Sequence, residues 1–559
     1  MRSKTTVFLP LVMIAGCLLA AQQRSPTSSA LEGRVSSDAE GSMEGVLVTA
    51  KGFGSTISVT VVTEREGKYA FPASKLKPGK YTLSIRATGY ELANAPQVEI
   101  LGGKTIQVDL KLDKTHSLLS QLTNAEILLS IPGTQREKNE LYPCANCHSL
   151  IPIIQSNYNA EAWQTTLARM KNWSVQSSIA NPIPQPYKVA AKPNPEFAQY
   201  LSTINLSSKP KFDYDFKSLP RPTGRATRVI ITEYDLPASG RLPHDAILDD
   251  NGIIWYNDFH EPLIGRLNPR TGETKEWRFP PLKPDFPTGT LSIMLDRNGD
   301  LWFPRFLQGG ITQFNPRTEK FQTWFEPPEY NTEHSSSPHV STAADGTVWF
   351  TEDEGLVMSR LDPKSGHISS FPMFPDFHRG VGGSGQFDLN NTKAEGHRTY
   401  GIASDSNSNA YFCDIVGGNI GRVDAKTGKV TLFKTPTVNS GPRRLSVDSE
   451  DRVWFGEYYA NKLGMFDPKT EQFKEWTAPT PWSGPYPAMA DKNGDVWTAG
   501  MGTDLILRLD SKNGKFTEYL LPTVDANIRW VEVDNSTTPP SVWVAEVHGG
   551  KIARIEPLD

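Results

Sequence analysis

The chain has 559 residues, with 58 Lys and Arg against 62 Asp and Glu and a formal net charge of −4. That length is too great for one ordinary core and predicts about three domains. Basic residues are scattered, which removes the electrostatic case for nucleic acid or an anionic membrane surface. The four cysteines, Cys17, Cys144, Cys147 and Cys413, are too few and too unevenly placed for a disulfide framework.

Residues 1–21 have the form of an export signal. Arg2 and Lys4 precede an apolar run from Val7 to Ala21, long enough for a signal core and short for a membrane span. Ile14-Ala15-Gly16-Cys17 resembles a bacterial lipobox, in which Cys17 would carry a lipid anchor. Cleavage near Ala21 is the alternative and would leave a soluble product. Either way the expected location is outside the cytoplasm, in the periplasm or at the cell surface of a bacterium. Residues 22–30 are polar, contain Ser and Pro, and form a tether.

From residue 31 to residue 113 the pattern is of short alternating runs such as Ile57-Ser58-Val59-Thr60-Val61-Val62 and Tyr81-Thr82-Leu83-Ser84-Ile85. Period-two alternation broken by turns such as Lys77-Pro78-Gly79-Lys80 predicts a small antiparallel β-sandwich. Gly67-Lys68-Tyr69-Ala70-Phe71 and Pro78-Gly79-Lys80-Tyr81-Thr82-Leu83, followed by Gly89-Tyr90, resemble the carboxypeptidase regulatory-like family. The resemblance implies an accessory module, and no catalytic constellation is visible in it.

Residues 116–206 turn helical. Leu118, Leu122, Ile127 and Leu128 precede the run Cys144-Ala145-Asn146-Cys147-His148, and Trp163, Leu167 and Met170 follow it at helical spacing. Asn194, Pro195 and Glu196 announce a third helix as cap, first residue and first-turn acid. Two thiols separated by two residues can each form a thioether to a porphyrin vinyl group, and the adjoining His148 can ligate the iron. A structural zinc would need a second pair of ligands nearby, and a thioredoxin-like site would need a βαβ context. The segment therefore resembles a short c-type cytochrome domain with covalent haem c, and that chemistry agrees with export. Met170 is the expected distal ligand, with His116 as competitor and a plain core role for Met170 as the alternative. Residues 181–195 hold five prolines and would run as an extended loop over the haem edge.

Residues 207–225 form a Pro-containing linker, after which residues 226–559 repeat. Ile254-Trp255-Tyr256, Leu301-Trp302-Phe303, Val348-Trp349-Phe350, Ala410-Tyr411-Phe412, Val453-Trp454-Phe455, Val496-Trp497-Thr498 and Val542-Trp543-Val544 are seven copies of one strand. Most follow an Asn-Gly or Asp-Gly hairpin turn and precede an Ile-Gly-Arg-Leu-like strand. Four strands repeating every 43 to 62 residues predict a seven-bladed β-propeller, closed by pairing residues 229–234 with the C-terminal strand. The whole chain is thus expected to be multidomain and mainly β: sandwich, short α-helical cytochrome c-like domain and propeller.

Residues that open the inner strands of a propeller converge on its central channel, and here they include His244, Thr290, His339, His397, Arg443, Tyr486 and Arg529. Gly441-Pro442-Arg443-Arg444-Leu445-Ser446-Val447-Asp448 and Val453-Trp454-Phe455-Gly456-Glu457 resemble the virginiamycin B lyase family. Pro338-His339 and Glu395-Gly396-His397 match its paired histidine openings, with Gly396 in place of proline. The resemblance implies that His397 transfers a proton, His339 orients substrate or base, and Glu395 holds magnesium with help from Asp414. A lyase has no need of haem, however. The leading expectation is therefore an exported c-type haem protein for electron transfer, its propeller binding a substrate or redox partner. A lyase with an accessory haem and a non-enzymatic surface or carbohydrate-binding protein are the alternatives.

Overall fold

The computed structural model describes residues 29–178, 182–185, 194–207, 209–238, 240–332, 336–352, 356–374 and 396–559. The expected signal with Cys17, nearly all of the tether, Glu395 and much of the proline-rich loop lie outside the described residues.

The fold is mainly β, with a small N-terminal β domain and a C-terminal propeller-like region. The small domain does not stand apart. Strand Ile57–Val62 pairs on one edge with Leu47–Gly52 and on the other with Val229–Asp235, in register Val61 to Ile230 and Ile57 to Tyr234. Val229–Asp235 in turn pairs antiparallel with Lys551–Pro557, Val229 opposite Pro557 and Asp235 opposite Lys551. One eight-stranded sheet therefore runs from Ile528–Asp534 at one edge to Gln97–Ile100 at the other. This explains why Ile57–Val62 is buried on both faces rather than alternating. Val59 and Val61 enter the sandwich core, whereas Val62 packs with Val229, Ile231 and Ile555 on the propeller side. Arg86 crosses the same boundary: it donates to the Leu521 and Thr523 carbonyls and to Asp504 at 2.9 Å, both ionic partners being buried.

Six further four-stranded antiparallel sheets lie between residues 243 and 520. A common local device holds five of them, and in the remaining one the Trp349 indole donates to the Ser408 carbonyl at 2.9 Å. The indole of Trp255, Trp302, Trp454 and Trp497 donates to the aspartate six residues earlier, at 2.9, 3.0, 2.8 and 3.0 Å. The other oxygen of each aspartate accepts amides of the hairpin turn, so one side chain fixes both turn and strand. Where tryptophan is replaced, the Tyr411 hydroxyl donates to Asp405 at 3.2 Å and keeps the link. The glycine of the third strand has a steric reason. A Cβ at Gly265, Gly421 or Gly464 would lie 2.0–2.3 Å from the ring of Tyr256, Phe412 or Phe455 on the neighbouring strand.

Between sandwich and propeller lie five short α-helices where three were expected: Asn124–Ser130 (α1), Gln135–Leu141 (α2), Ile151–Ile154 (α3), Ala160–Met170 (α4) and Pro195–Ile204 (α5). Thr123 and Thr134 build reciprocal capping boxes with Glu126 and Glu137, and Asn159 and Asn194 cap α4 and α5. These helices share one apolar cluster with the propeller rather than enclosing a core alone. Leu122, Ile127, Leu141, Leu150, Trp163 and Leu201 pack in it with Phe259, Tyr400, Tyr486 and Met501. Among the described residues no helix is long and apolar enough to cross a membrane.

The domain boundary yields a stability prediction. Asp504→Ala leaves the buried Arg86 charge uncompensated, a loss of about 3–5 kcal/mol for a buried pair deprived of one partner. Urea unfolding should show a lower midpoint, and limited proteolysis should release the N-terminal domain faster than from the parent protein.

Candidate functional site

Cys144 lies within the 3₁₀ turn Tyr142–Asn146, and Cys147 ends it by donating its N–H to the Cys144 carbonyl. The two thiols are half-buried and not joined in a disulfide. Burial pushes the Cys144 thiol up to about 12, and raises Cys147 as well against the opposing charge of Arg529. His148 Nδ1 lies 2.7 Å from the Ser149 carbonyl oxygen, so Nδ1 carries the proton and Nε2 keeps its lone pair. Two neutral thiols one turn apart beside an imidazole with Nε2 available fit a covalently held haem. Met170, the last residue of α4, is 43% exposed, and His116 is exposed as well; neither belongs to the apolar cluster that contains Cys144.

The turn is docked on the propeller. Asn527 donates to the Ala145 carbonyl at 3.2 Å, and Arg529 to the Asn146 carbonyl at 2.6 Å. Tyr142 stacks on Tyr458 with ring centroids 5.2 Å apart, and the Tyr458 hydroxyl reaches the Asn146 side chain at 3.3 Å. A Cβ at Gly484 would lie 2.0 Å from the Tyr142 hydroxyl, so only glycine admits this approach. Nearby, Asn124 of α1 donates to Asp525 at 3.1 Å and accepts from the Leu150 amide at 2.8 Å.

Beneath the turn is the channel mouth. His244, Arg443 and Arg529 each follow the first paired residue of their strand, ahead of a bulge. By the same register the fourth member is Tyr400, after Thr399, and not His397 as the sequence suggests. His244 is fully buried, gives Nδ1 to Asp245 at 2.8 Å, and is held down to about 4 by burial against the pull of that carboxylate. Burial likewise holds His339 well below the ordinary imidazole range. His244 Nε2 has no hydrogen-bond partner among the described residues, and the His339 ring lies edge-on to Tyr400 with centroids 4.6 Å apart. Arg444 forms a two-pronged pair with Asp245 at 2.6 and 2.8 Å and donates to the Arg529 carbonyl. Tyr400 and Tyr486 share a hydroxyl–hydroxyl bond of 2.5 Å. Burial acts to raise Tyr486, but Arg443 and Arg529 outweigh it and lower the phenol, whereas burial and Tyr486 raise Tyr400. Thr290 is buried here too, its amide on the Asp258 carbonyl.

His397 belongs to a second constellation. Its Nδ1 lies 2.7 Å from Asp414 Oδ2, and its ring stacks on Phe374 at 3.8 Å. Asp414 is fully buried; Oδ1 accepts the Arg398 and Gly417 amides, and Oδ2 also accepts from Asn419. Both oxygens are thereby committed to orienting the imidazole and the loop. Among the described residues no three His, Cys, Asp or Glu side chains assemble as a metal cluster.

The sequence reading missed Tyr400, Tyr142, Tyr458, Asn527 and the Arg444–Asp245 pair. Arg444 carries a signal, since Pro442-Arg443-Arg444 places two guanidinium groups at a strand opening. Asn527 carries none.

Glu457, next to Tyr458, gives a pH prediction. It is fully buried beside Glu475. Burial, reinforced by Glu475, pushes its carboxyl from 4.5 up to about 9. The folded state holds the proton and the unfolded state releases it near the ordinary value, so this group's contribution to stability falls as pH rises between the two. Glu457→Gln should remove that slope. Urea unfolding at successive pH values should show the variant gaining on the parent by at most ~1.4 kcal/mol per pH unit from about pH 5 to pH 9, with no gain below that window.

Comparison with known proteins bears on the two β regions. Residues 385–558 match the Virginiamycin B lyase family and residues 30–113 match the carboxypeptidase regulatory-like domain. A solved streptogramin B lyase is similar at 23% identity with a TM-score of 0.50, covering 60% of this chain and 100% of that one. Virginiamycin B lyase from Staphylococcus aureus is 22% identical with a TM-score of 0.48, covering 58% of this chain and 98% of that one. No curated protein sequence matches the chain. At these identities the structural likeness is one of fold, and the chain combines a carboxypeptidase regulatory-like domain with a propeller-like region similar to that of the lyases.

Proposed function

We propose that this is an exported c-type haem protein that transfers electrons, with the prosthetic group held at Cys144, Cys147 and His148 over a seven-bladed propeller. The observation that carries the reading is the pair of hydrogen bonds from Asn527 and Arg529 to the carbonyls between the two cysteines. They seat the attachment turn on the channel mouth, where a propeller binds its ligands. Haem, when bound, supplies one-electron transfer. Cys144 and Cys147 would hold it through thioethers and His148 would supply an imidazole ligand, while Arg529 fixes the turn and would add a buried positive charge that favours the reduced state. The seven sheets read as blades of one ring, and the substrate or redox partner meets the protein at this mouth.

A second reading, a lyase with an accessory haem, is favoured by the His397–Asp414 pair. An imidazole oriented by a buried carboxylate is built to take a proton, and Glu395 with magnesium would complete that site by similarity to the lyase family.

The readings separate experimentally. Protein from a host able to mature haem c should carry the added mass of one haem and show a Soret band and a sharp α-band on reduction. The double variant Cys144→Ala, Cys147→Ala should lose both. A colourless parent protein from such a host would refute the first reading. Magnesium-dependent opening of a cyclic ester, reduced about 10²- to 10⁴-fold by His397→Ala, would establish the second.

A further inference from the structure

Arg443 lacks what its neighbours have. Arg444 is neutralised by Asp245, and Arg529 spends Nε on Asn527 and Nη2 on the Asn146 carbonyl. The Arg443 guanidinium instead lies over three rings, 5.1 Å from Tyr400, 4.4 Å from Tyr458 and 4.2 Å from Tyr486. Among the described residues it has no hydrogen bond and no carboxylate partner, and its Nε is buried without an acceptor. Aromatic faces attract a guanidinium but do not neutralise it. The mouth thus holds three guanidinium groups against the one carboxylate of Asp245, while burial keeps His244 and His339 uncharged. A guanidinium with no carboxylate beside it and an Nε without an acceptor is the signature of a missing anion.

We propose that Arg443 binds a carboxylate in the channel mouth, directly beneath the turn that carries Cys144 and Cys147. The planar fork of arginine matches a carboxylate with two parallel hydrogen bonds, and the rings of Tyr400, Tyr458 and Tyr486 hold the fork in place. Two sources share this chemistry: a propionate of the haem, in which case the inference rests on the haem reading, or the carboxylate of a free ligand, in which case it does not. The acidified Tyr486 is a consequence of the same excess charge, and a bound carboxylate returns that phenol toward its ordinary range.

The test uses the full chain as isolated from a haem-maturing host, with Arg443→Gln and Arg443→Lys, each checked for unchanged far-ultraviolet circular dichroism. Benzoate is the probe, titrated by calorimetry, and the haem midpoint potential is measured against pH in parallel. A free-ligand site is supported if benzoate binds the parent and binds Arg443→Gln about tenfold or more weakly, with Arg443→Lys intermediate. A propionate site is supported if benzoate does not bind the parent but Arg443→Gln lowers the potential and moves its pH dependence. Benzoate binding that is equal in parent and Arg443→Gln overturns the proposal, as does absence of binding together with an unchanged potential. If the protein carries no haem, the haem reading fails by itself and the benzoate titration alone decides: binding lost in Arg443→Gln supports the site, and no binding to the parent overturns it.

Discussion

Strand Val229–Asp235 holds the architecture together because both of its edges are occupied. On one side it completes the sheet of Lys551–Pro557, and on the other it accepts strand Ile57–Val62 of the small domain. An open edge at either place would expose unpaired amides and carbonyls. The consequence reaches the helices. The chain leaves the small domain at Lys114 and must return to a strand hydrogen-bonded to that same domain. The intervening helical segment is therefore a closed excursion that starts and ends against the small domain, and its apolar faces find their partner on the nearest end of the propeller.

Burial at that end dictates the electrostatics. Once the helices cover the mouth, imidazoles there lose their protons, as His244 and His339 do, and a guanidinium must find an acceptor or a ring. Arg444 finds Asp245, Arg529 finds a backbone carbonyl of the turn, and Arg443 finds tyrosines. The cysteines feel the same covering, since burial keeps both thiols protonated. The chemistry of the turn and that of the mouth thus share one desolvated volume and respond to one another.

Much of the β architecture is legible in the sequence because it repeats. The aromatic strands and the Asn-Gly or Asp-Gly turns recur with the period of the sheets, and a repeating contact leaves a repeating trace. The aspartate six residues before Trp255, Trp302, Trp454 and Trp497 recurs too, yet it becomes meaningful only when the indole is seen to donate to it. The register at Tyr400 was hidden by a bulge: counting from His397 places the wrong side chain in the mouth, and only the pairing of Thr399 with Asp414 corrects it. The docking of helices on propeller left no trace at all. It rests on single, non-repeating residues such as Asn527, Tyr142 and Gly484, whose partners are hundreds of positions away.

The manner of docking links attachment to recognition. Asn527 and Arg529 bind main-chain carbonyls of Ala145 and Asn146, so what the propeller reads is chiefly the shape of the turn and not the methyl of Ala145. That shape exists only while residues 142 to 146 keep their 3₁₀ form. Short 3₁₀ segments are weakly held by their own hydrogen bonds, so this one depends on partners outside it. Thioethers at Cys144 and Cys147 would fasten its centre and the residue after it to one rigid ring, and the propeller fastens Ala145 and Asn146 between them. In the proposed haem form each constraint would lower the entropy the other must overcome, as two ligands of one conformation do.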